Sequence, residues 1–387
     1  MSATTWIAVC ATVLLCGCDS QRGAMAQGQT AQAIAPVASS APFSITEVAS
    51  FEEPWAMTFL PDGRLLVTEK QGVLKLLKPG GKPGVITGVP AVDYGGQGGL
   101  GDVVLHPKFA SNQLIYLSYV EKGEGDLRGA AVARARLTVD DAGGGALSEL
   151  AVIWRQQPKV DGRAHYGHRL AFGADGLLWI SSGERQQFDP AQDMAGNLGK
   201  ILRLNEDGSV PADNPFAGQG GVTAQIWSLG HRNPLGIAFD GQGRLWEIEM
   251  GPRGGDELNL IERGRNYGWP KVSNGDNYDG TVIPDHPTAP QYEAPKVSWT
   301  PVIAPADLLI YSGNVFPDWR GNAIIPGLAS QALVRVELHG DSAREVARYD
   351  LGHRLRAVEQ GPEGGLWLLE DGSGGRLLKL GNGPAAP

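Results

Sequence analysis

Met57-Thr-Phe-Leu-Pro-Asp-Gly-Arg-Leu-Leu-Val-Thr-Glu69 places two short apolar runs on either side of a Pro-Asp-Gly turn. Glycine takes the positive φ that a tight hairpin turn demands, so the segment predicts two antiparallel strands. The pattern returns as Leu170-Ala-Phe-Gly-Ala-Asp-Gly-Leu-Leu-Trp-Ile-Ser-Ser182 and as Ile237-Ala-Phe-Asp-Gly-Gln-Gly-Arg-Leu-Trp-Glu-Ile-Glu249. A further copy is Val358-Glu-Gln-Gly-Pro-Glu-Gly-Gly-Leu-Trp-Leu-Leu-Glu370, and a weaker one runs from Val103 to Phe109 and on through Ile115 to Tyr119. Sheet units repeated over roughly 340 residues predict a β-propeller, in which radial repetition protects the strand edges. Six blades would take roughly 55 residues each; a pair of β-sandwiches is the alternative.

The composition agrees with many short strands. The 387 residues include 55 Gly and 26 Pro, and 42% are apolar, enough for a core. The formal charge is −9, with 33 basic against 42 acidic residues and no basic run, so no nucleic-acid partner is expected. Cys10, Cys16 and Cys18 are the three cysteines, which removes disulfides, thiolate catalysis and cysteine metal sites from the rest of the chain.

The apolar segment from Trp6 to Leu15 is short for a membrane span of ~20 residues. It ends in Leu15-Cys-Gly-Cys18, similar to a bacterial lipoprotein cleavage box with Cys18 as the lipidated residue. Asp19 resembles the signal that retains lipoproteins at the inner membrane. Residues 1–18 are therefore expected to be a lipoprotein-type signal peptide and 19–42 a flexible Ala/Gln/Ser tether. The folded domain follows at 43–382, periplasmic and held to the membrane by its lipid alone.

Two segments are too rich in glycine and proline for regular structure, yet carry charge at fixed places. These are Gly230-His-Arg-Asn-Pro-Leu-Gly236 and Gly251-Pro-Arg-Gly-Gly-Asp-Glu-Leu-Asn-Leu260. They read as functional loops, where glycine lets backbone approach a ligand while carbonyls and carboxylates can meet a metal. The second leads to Asn266-Tyr-Gly-Trp-Pro270, where aromatic rings alternate with turn residues. Arg354 and Arg356 alternate on a predicted strand, so they share one face and call for an anion. Asn274-Gly-Asp-Asn-Tyr-Asp-Gly280 is oxygen-rich but does not fit an EF-hand loop, and reads as a turn.

Six motifs in order resemble the soluble pyrroloquinoline quinone (PQQ)-dependent aldose sugar dehydrogenases, the glucose/sorbosone dehydrogenase family. They are Gly96-Gln-Gly-Gly-Leu100, His165-Tyr-Gly-His-Arg169, Gly230-His-Arg-Asn-Pro234, Gly251-Pro-Arg-Gly-Gly-Asp-Glu257, Asn266-Tyr-Gly-Trp-Pro270 and Arg354-Leu-Arg356. The resemblance implies a six-bladed β-propeller carrying PQQ and Ca²⁺, an oxidoreductase that turns an aldose C1 hydroxyl into a lactone. It implies His165 as the general base, with His168 as a rival, and Arg232 at the quinone oxygens. Asp256 would lie close to the sugar and the base. Gln97, Asn233, Arg354 and Arg356 would bind the cofactor. The carbonyls of Gly251 and Pro252 would hold one Ca²⁺, and Glu257 with the Tyr267 carbonyl a second. The expected partners are an aldose substrate and a quinone or cytochrome electron acceptor. The chain departs from the family pattern at Met250, where His or Gln is usual. It departs again near Ala329, where a cofactor-contacting lysine would fall, and near Val302, in place of Thr or Ser. A propeller lactonase and a non-catalytic binding propeller are the alternative functions.

Overall fold

In the computed structural model, residues 41–78 and 80–383 are described; the expected signal peptide, 1–18, and nearly all of the expected tether, 19–42, lie outside them. The chain is almost entirely β, as the hairpin repeats predict. Beyond the strands, the described residues add one turn of α-helix, Phe109–Asn112, and five 3₁₀ turns.

Six times the chain passes through four antiparallel strands. The first passage is β2 (Pro54–Phe59), β3 (Leu65–Glu69), β4 (Val73–Leu77) and β5 (Gly84–Thr87), after β1 (Phe43–Phe51). The second is β6 (Leu100–Leu105), β7 (Leu114–Lys122), β8 (Arg128–Val139) and β9 (Gly145–Arg155). Its outer strand β9 runs parallel to β5, which joins these two passages into one eight-stranded sheet. The third is β10 (Gly167–Phe172), β11 (Leu178–Ser182), β12 (Lys200–Leu204) and β13 (Ile226–Leu229). The fourth uses β14 (Pro234–Phe239), β15 (Leu245–Glu249), β17 (Asp256–Ile261) and β19 (Val297–Trp299), with β16 (Arg253–Gly254) and β18 (Gly275–Asp276) forming a side ribbon. The fifth is β20 (Leu309–Ile310), β21 (Ala323–Pro326), β22 (Ala332–His339) and β23 (Ser342–Asp350). The sixth is β24 (Leu355–Gln360), β25 (Leu366–Glu370) and β26 (Gly375–Asn382), and its fourth strand is β1.

The quoted repeats form the first hairpin of their sheets. At Asp62-Gly63 the glycine has φ +86°, and the Asp62 carboxylate accepts the Arg64 amide at 3.0 Å. Asp175-Gly176 is built in the same way. Second strands such as β3, β11, β15 and β25 are buried along their whole length. Their side chains are covered from both faces, which explains apolar runs in place of strict alternation.

Each four-stranded passage shares its core with the next. One cluster joins Leu66 and Leu74 to Val103 and Leu117; the next joins Val132 and Trp154 to Leu178 and Leu202. The succession continues through Trp179 with Leu245, Trp246 with Val334, Leu333 with Leu368, and finally Leu369 with Val67. The first strands likewise neighbour one another in the cycle β2, β6, β10, β14, β20, β24 and back to β2.

Phe43 anchors the strand that completes the sixth sheet. It is fully buried and meets Phe316, Trp319 and Tyr349 edge-on, with ring centroids 5.3–6.4 Å apart. Phe43→Ala is expected to lower the unfolding free energy by about 3–5 kcal/mol, read from the urea midpoint. Ile45→Ala, on the same strand but 43% exposed, should cost less than about 1 kcal/mol. Equal losses would contradict this anchoring role.

Candidate functional site

The residues singled out by the sequence gather where loops lead into the first strands. Gln97 precedes β6, His165 precedes β10, Arg232 and Asn233 precede β14, and Arg354 precedes β24. Glu53 holds the same place before β2. The pairing register shifts at this end of β2, β6, β10, β14 and β24. Such bulges bend a strand and re-aim its side chains, and they recur beside active sites.

His165 lines a cavity of about 390 Å³ with Glu184, Gln186, Phe188, Arg232, Pro252, Trp269, Asn277, Tyr278 and Asp279. Its Nδ1 lies 2.5 Å from Glu184 Oε1, and its backbone amide donates to Gln97 Oε1 at 2.7 Å. With Nδ1 engaged, Nε2 is the nitrogen left for the cavity. Burial pushes the imidazole below its ordinary pKa, Glu184 pulls it up, and the Arg232 charge pushes it down again. The outcome is a histidine that is neutral at pH 7, the form a base requires. His165 has φ +51°, and Arg185, Gln186 and Phe188 opposite it are also left-handed. Non-glycine residues hold that conformation only where the surroundings impose it. Arg185 supplies the constraint: its guanidinium binds the carbonyls of Gly162, Ala164 and Arg128 and lies 3.9 Å from the Tyr166 ring.

His168 is a poor base. It is buried against Trp55 at 4.8 Å, it contacts Ser118 Oγ through Nδ1, and burial drives its pKa down to about 3.

A second cavity of about 390 Å³ adjoins the first. Its lining includes Gln97, Asn233, Met250, Lys70, Arg354 and Arg356. Gln97 touches the His165 backbone and Asn233 follows Arg232, which sets the two cavities side by side. Arg354 and Arg356 do share a face as expected, and an anion from the chain meets them: Asp371 accepts both, at 2.6–2.8 Å. Ala329 is exposed and not part of the lining, whereas Leu328 is.

Arg232 is 5% exposed and donates through Nη1 to the carbonyls of Met250 and Gly251, at 3.0 and 2.7 Å. Its guanidinium carbon lies 5.2 Å from the Trp269 ring centroid. Arg232 Nε and both side-chain atoms of Asn233 are buried with no protein partner. Buried polar atoms are rarely left so, and these are the donors and acceptors a polar planar ligand would satisfy. Together with three cations in the adjoining cavity, they fit a polycarboxylate quinone.

Asp256 departs from expectation. It lies outside the lining of both large cavities, and its carboxylate accepts the amides of Gly251, Ile303 and Ala304 at 2.7–2.9 Å. Burial pushes its carboxyl up to about 7. These three backbone bonds tie the Gly251 loop to the segment at Ile303 and Ala304, so Asp256 fixes that loop in place. The loop is tight: a Cβ on Gly251 would come within 2.2 Å of the Gly255 carbonyl.

Behind that loop the β15–β17 pair buries Glu247, Glu249 and Glu257 beside Asn259, His231 and His286. Ligand atoms of His231, Glu247 and Glu249 lie within 4.8 Å of one another, and Glu247 Oε1 and Asn259 Oδ1 have no partner. Burial, and then Glu249, raise the Glu247 carboxyl well above its usual range. A cavity of about 10 Å³ beside them is lined by Glu249, Glu257, Gly251 and Tyr267. This set of buried oxygens, two of them without a partner, suits a hard cation. Tyr267 stacks on His231 at 4.7 Å.

Sequence reasoning missed Glu184, Lys70 and the Asn277–Asp279 turn, all in the cavity linings. One signal was present for the first. Three repeats end their second strand in glutamate, at Glu69, Glu249 and Glu370, while the β11 copy ends in Ser182 with its glutamate two residues later.

The family model described as Glucose / Sorbosone dehydrogenase matches residues 51–379. Aldose sugar dehydrogenase YliI of Escherichia coli (strain K12) is 40% identical over 336 residues, spanning 85% of this chain and 90% of that protein. Among solved structures, a glucose dehydrogenase superposes with a TM-score of 0.83 at 42% identity, covering 87% of this chain and 99% of its own. The PQQ-bound aldose sugar dehydrogenase of Streptomyces coelicolor gives 0.71 at 27% identity, covering 89% and 99%.

The His165–Glu184 pair makes a prediction that needs no substrate. An NMR titration of the His165 ring should place its midpoint below 6.5, because burial outweighs the carboxylate. Glu184→Gln removes the charge that favours the imidazolium and should lower the midpoint further. A midpoint above 6.5, or a rise on substitution, would reverse that balance.

Proposed function

The chain belongs to the glucose/sorbosone dehydrogenase family, and we propose that it is a PQQ- and Ca²⁺-dependent dehydrogenase that oxidises aldoses at C1 to lactones. The observation that carries this reading is His165, held by Glu184 and facing a cavity shared with Arg232. His165 Nε2 takes the proton of the C1 hydroxyl, and Glu184 stabilises the imidazolium that forms. When bound, PQQ supplies the electrophilic quinone carbon that accepts hydride from C1. Arg232 offers positive charge where negative charge develops. Phe188, Trp269 and Tyr278 give the cavity an aromatic wall against which a sugar ring can pack.

Gln97, Asn233, Arg354 and Arg356 would hold the cofactor. The carbonyls of Gly251 and Pro252 would take one Ca²⁺, and Glu257 with Tyr267 a second, a reading supported by the buried oxygens behind the loop. The six meanders, their six shared cores and the cycle of first strands support a six-bladed β-propeller. Electrons would leave to a quinone or cytochrome. A lipid on Cys18 would keep the enzyme beside such an acceptor; Cys18→Ser should then move the protein from the membrane fraction to the soluble periplasm.

Reconstitution of the purified protein with PQQ and Ca²⁺ tests the activity. Adding glucose or another aldose should bleach the quinone absorbance, and chelating Ca²⁺ beforehand should prevent it. His165→Ala should keep PQQ yet lose about 10²–10⁴ in rate. Bound PQQ that no aldose reduces would place the substrate outside this class.

A further inference from the structure

The cofactor-side cavity is lined by three cations, Lys70, Arg354 and Arg356, and by two carboxylates, Glu53 and Asp371. The two arginines converge on Asp371, which cancels one of their charges and fixes both guanidinium groups. Lys70 is less committed. Its Nζ donates to the Gly96 carbonyl at 3.0 Å, and its nearest carboxylate oxygen, on Glu53, is 3.5 Å away. That distance is long for a hydrogen bond, and the Glu53 carboxylate also accepts the Tyr94 hydroxyl. An ammonium has three hydrogens to donate, and only one has a close acceptor.

The backbone at Lys70 is nevertheless fixed. Its amide donates to Glu53 O, its carbonyl accepts the Leu100 amide at 2.9 Å, and the side chain is only 16% exposed. Lys70 leaves the β3–β4 turn, and its ammonium lies against Gly96 in the cavity that Gln97 also lines. On the other side, the position where a family lysine would fall is Ala329, outside the lining. A tricarboxylate entering here meets a net charge of only +1 from the lining side chains with Lys70, and none without it.

We propose that Lys70 binds a carboxylate of the quinone cofactor, supplying from the β3–β4 turn the cation that the chain lacks at Ala329. The inference rests on the PQQ reading above, and its test separates the two. PQQ is titrated into the apoprotein with Ca²⁺ present, followed by quenching of tryptophan fluorescence, since Trp55 and Trp269 line the cavities. No turnover is needed. Lys70→Met should weaken PQQ binding about 10- to 100-fold, the loss expected for one charge-assisted contact. Lys70→Arg should stay within a few-fold of the parent. The trimethyl ester of PQQ, which has no carboxylate charge, should bind Lys70→Met and the parent alike, an outcome that a merely structural role for Lys70 would not give. Lys70→Gln provides the same comparison if the methionine variant fails to fold. PQQ binding to Lys70→Met within twofold of the parent overturns the assignment and leaves the PQQ reading standing. An equal loss for ester and acid also overturns it. Failure of the parent to bind PQQ removes both.

Discussion

Every sheet in this protein depends on its neighbours for a core. Four short strands cannot bury two apolar faces alone, and the six largest hydrophobic clusters each bridge two successive four-stranded passages. The last of them, Leu369 and Leu377 with Val67, exists only if the chain returns to its beginning. The β1–β26 pairing makes that return with backbone bonds, and Phe43 secures it with aromatic packing. Radial repetition of this kind leaves each sheet with only short, protected edges.

Upon this frame the site is held ready by internal ions. Asp371 aligns two arginines, Glu184 orients His165, and Asp256 pins the Gly251 loop. For Asp371, burial raises the carboxyl and the arginines, led by Arg356, outweigh it, so the carboxyl lies below its usual range. Such pairs spare a ligand the cost of ordering long side chains on arrival. The cluster of Glu247, Glu249 and Glu257 is the opposite case, with acids packed together and Glu247 Oε1 left without a partner.

The hairpins were legible because Asp-Gly turns and apolar pairs are local signals, and the structure bears them out at Asp62 and Asp175. The weaker Val103 copy also holds, as β6 and β7. The sheet partner of β1 was not legible, since more than 300 residues separate Phe43 from Asn382. At the site, resemblance supplied residues that spacing alone would not single out, and the structure gathers His165, Arg232, Gln97, Asn233, Arg354 and Arg356 around two adjoining cavities. Asp256 misled because its neighbours in sequence belong to the loop, while its carboxylate points back to Ile303 and Ala304. Lys70 escaped notice because a lysine after an ordinary strand looks like any surface residue. Nothing in the sequence announces that the turn bearing Tyr278 forms part of the cavity wall.

The loops that lead into the first strands occupy equivalent places in successive repeats, and most of the residues that face the cavities come from them or from other loops and turns between strands. The apolar contacts that hold the sheets together lie further along the strands. Folding and recognition are thus written in separate parts of the same repeat. A lineage can lengthen or rewrite one loop and redraw one wall of the pocket, while the other walls and the closed ring remain as they were.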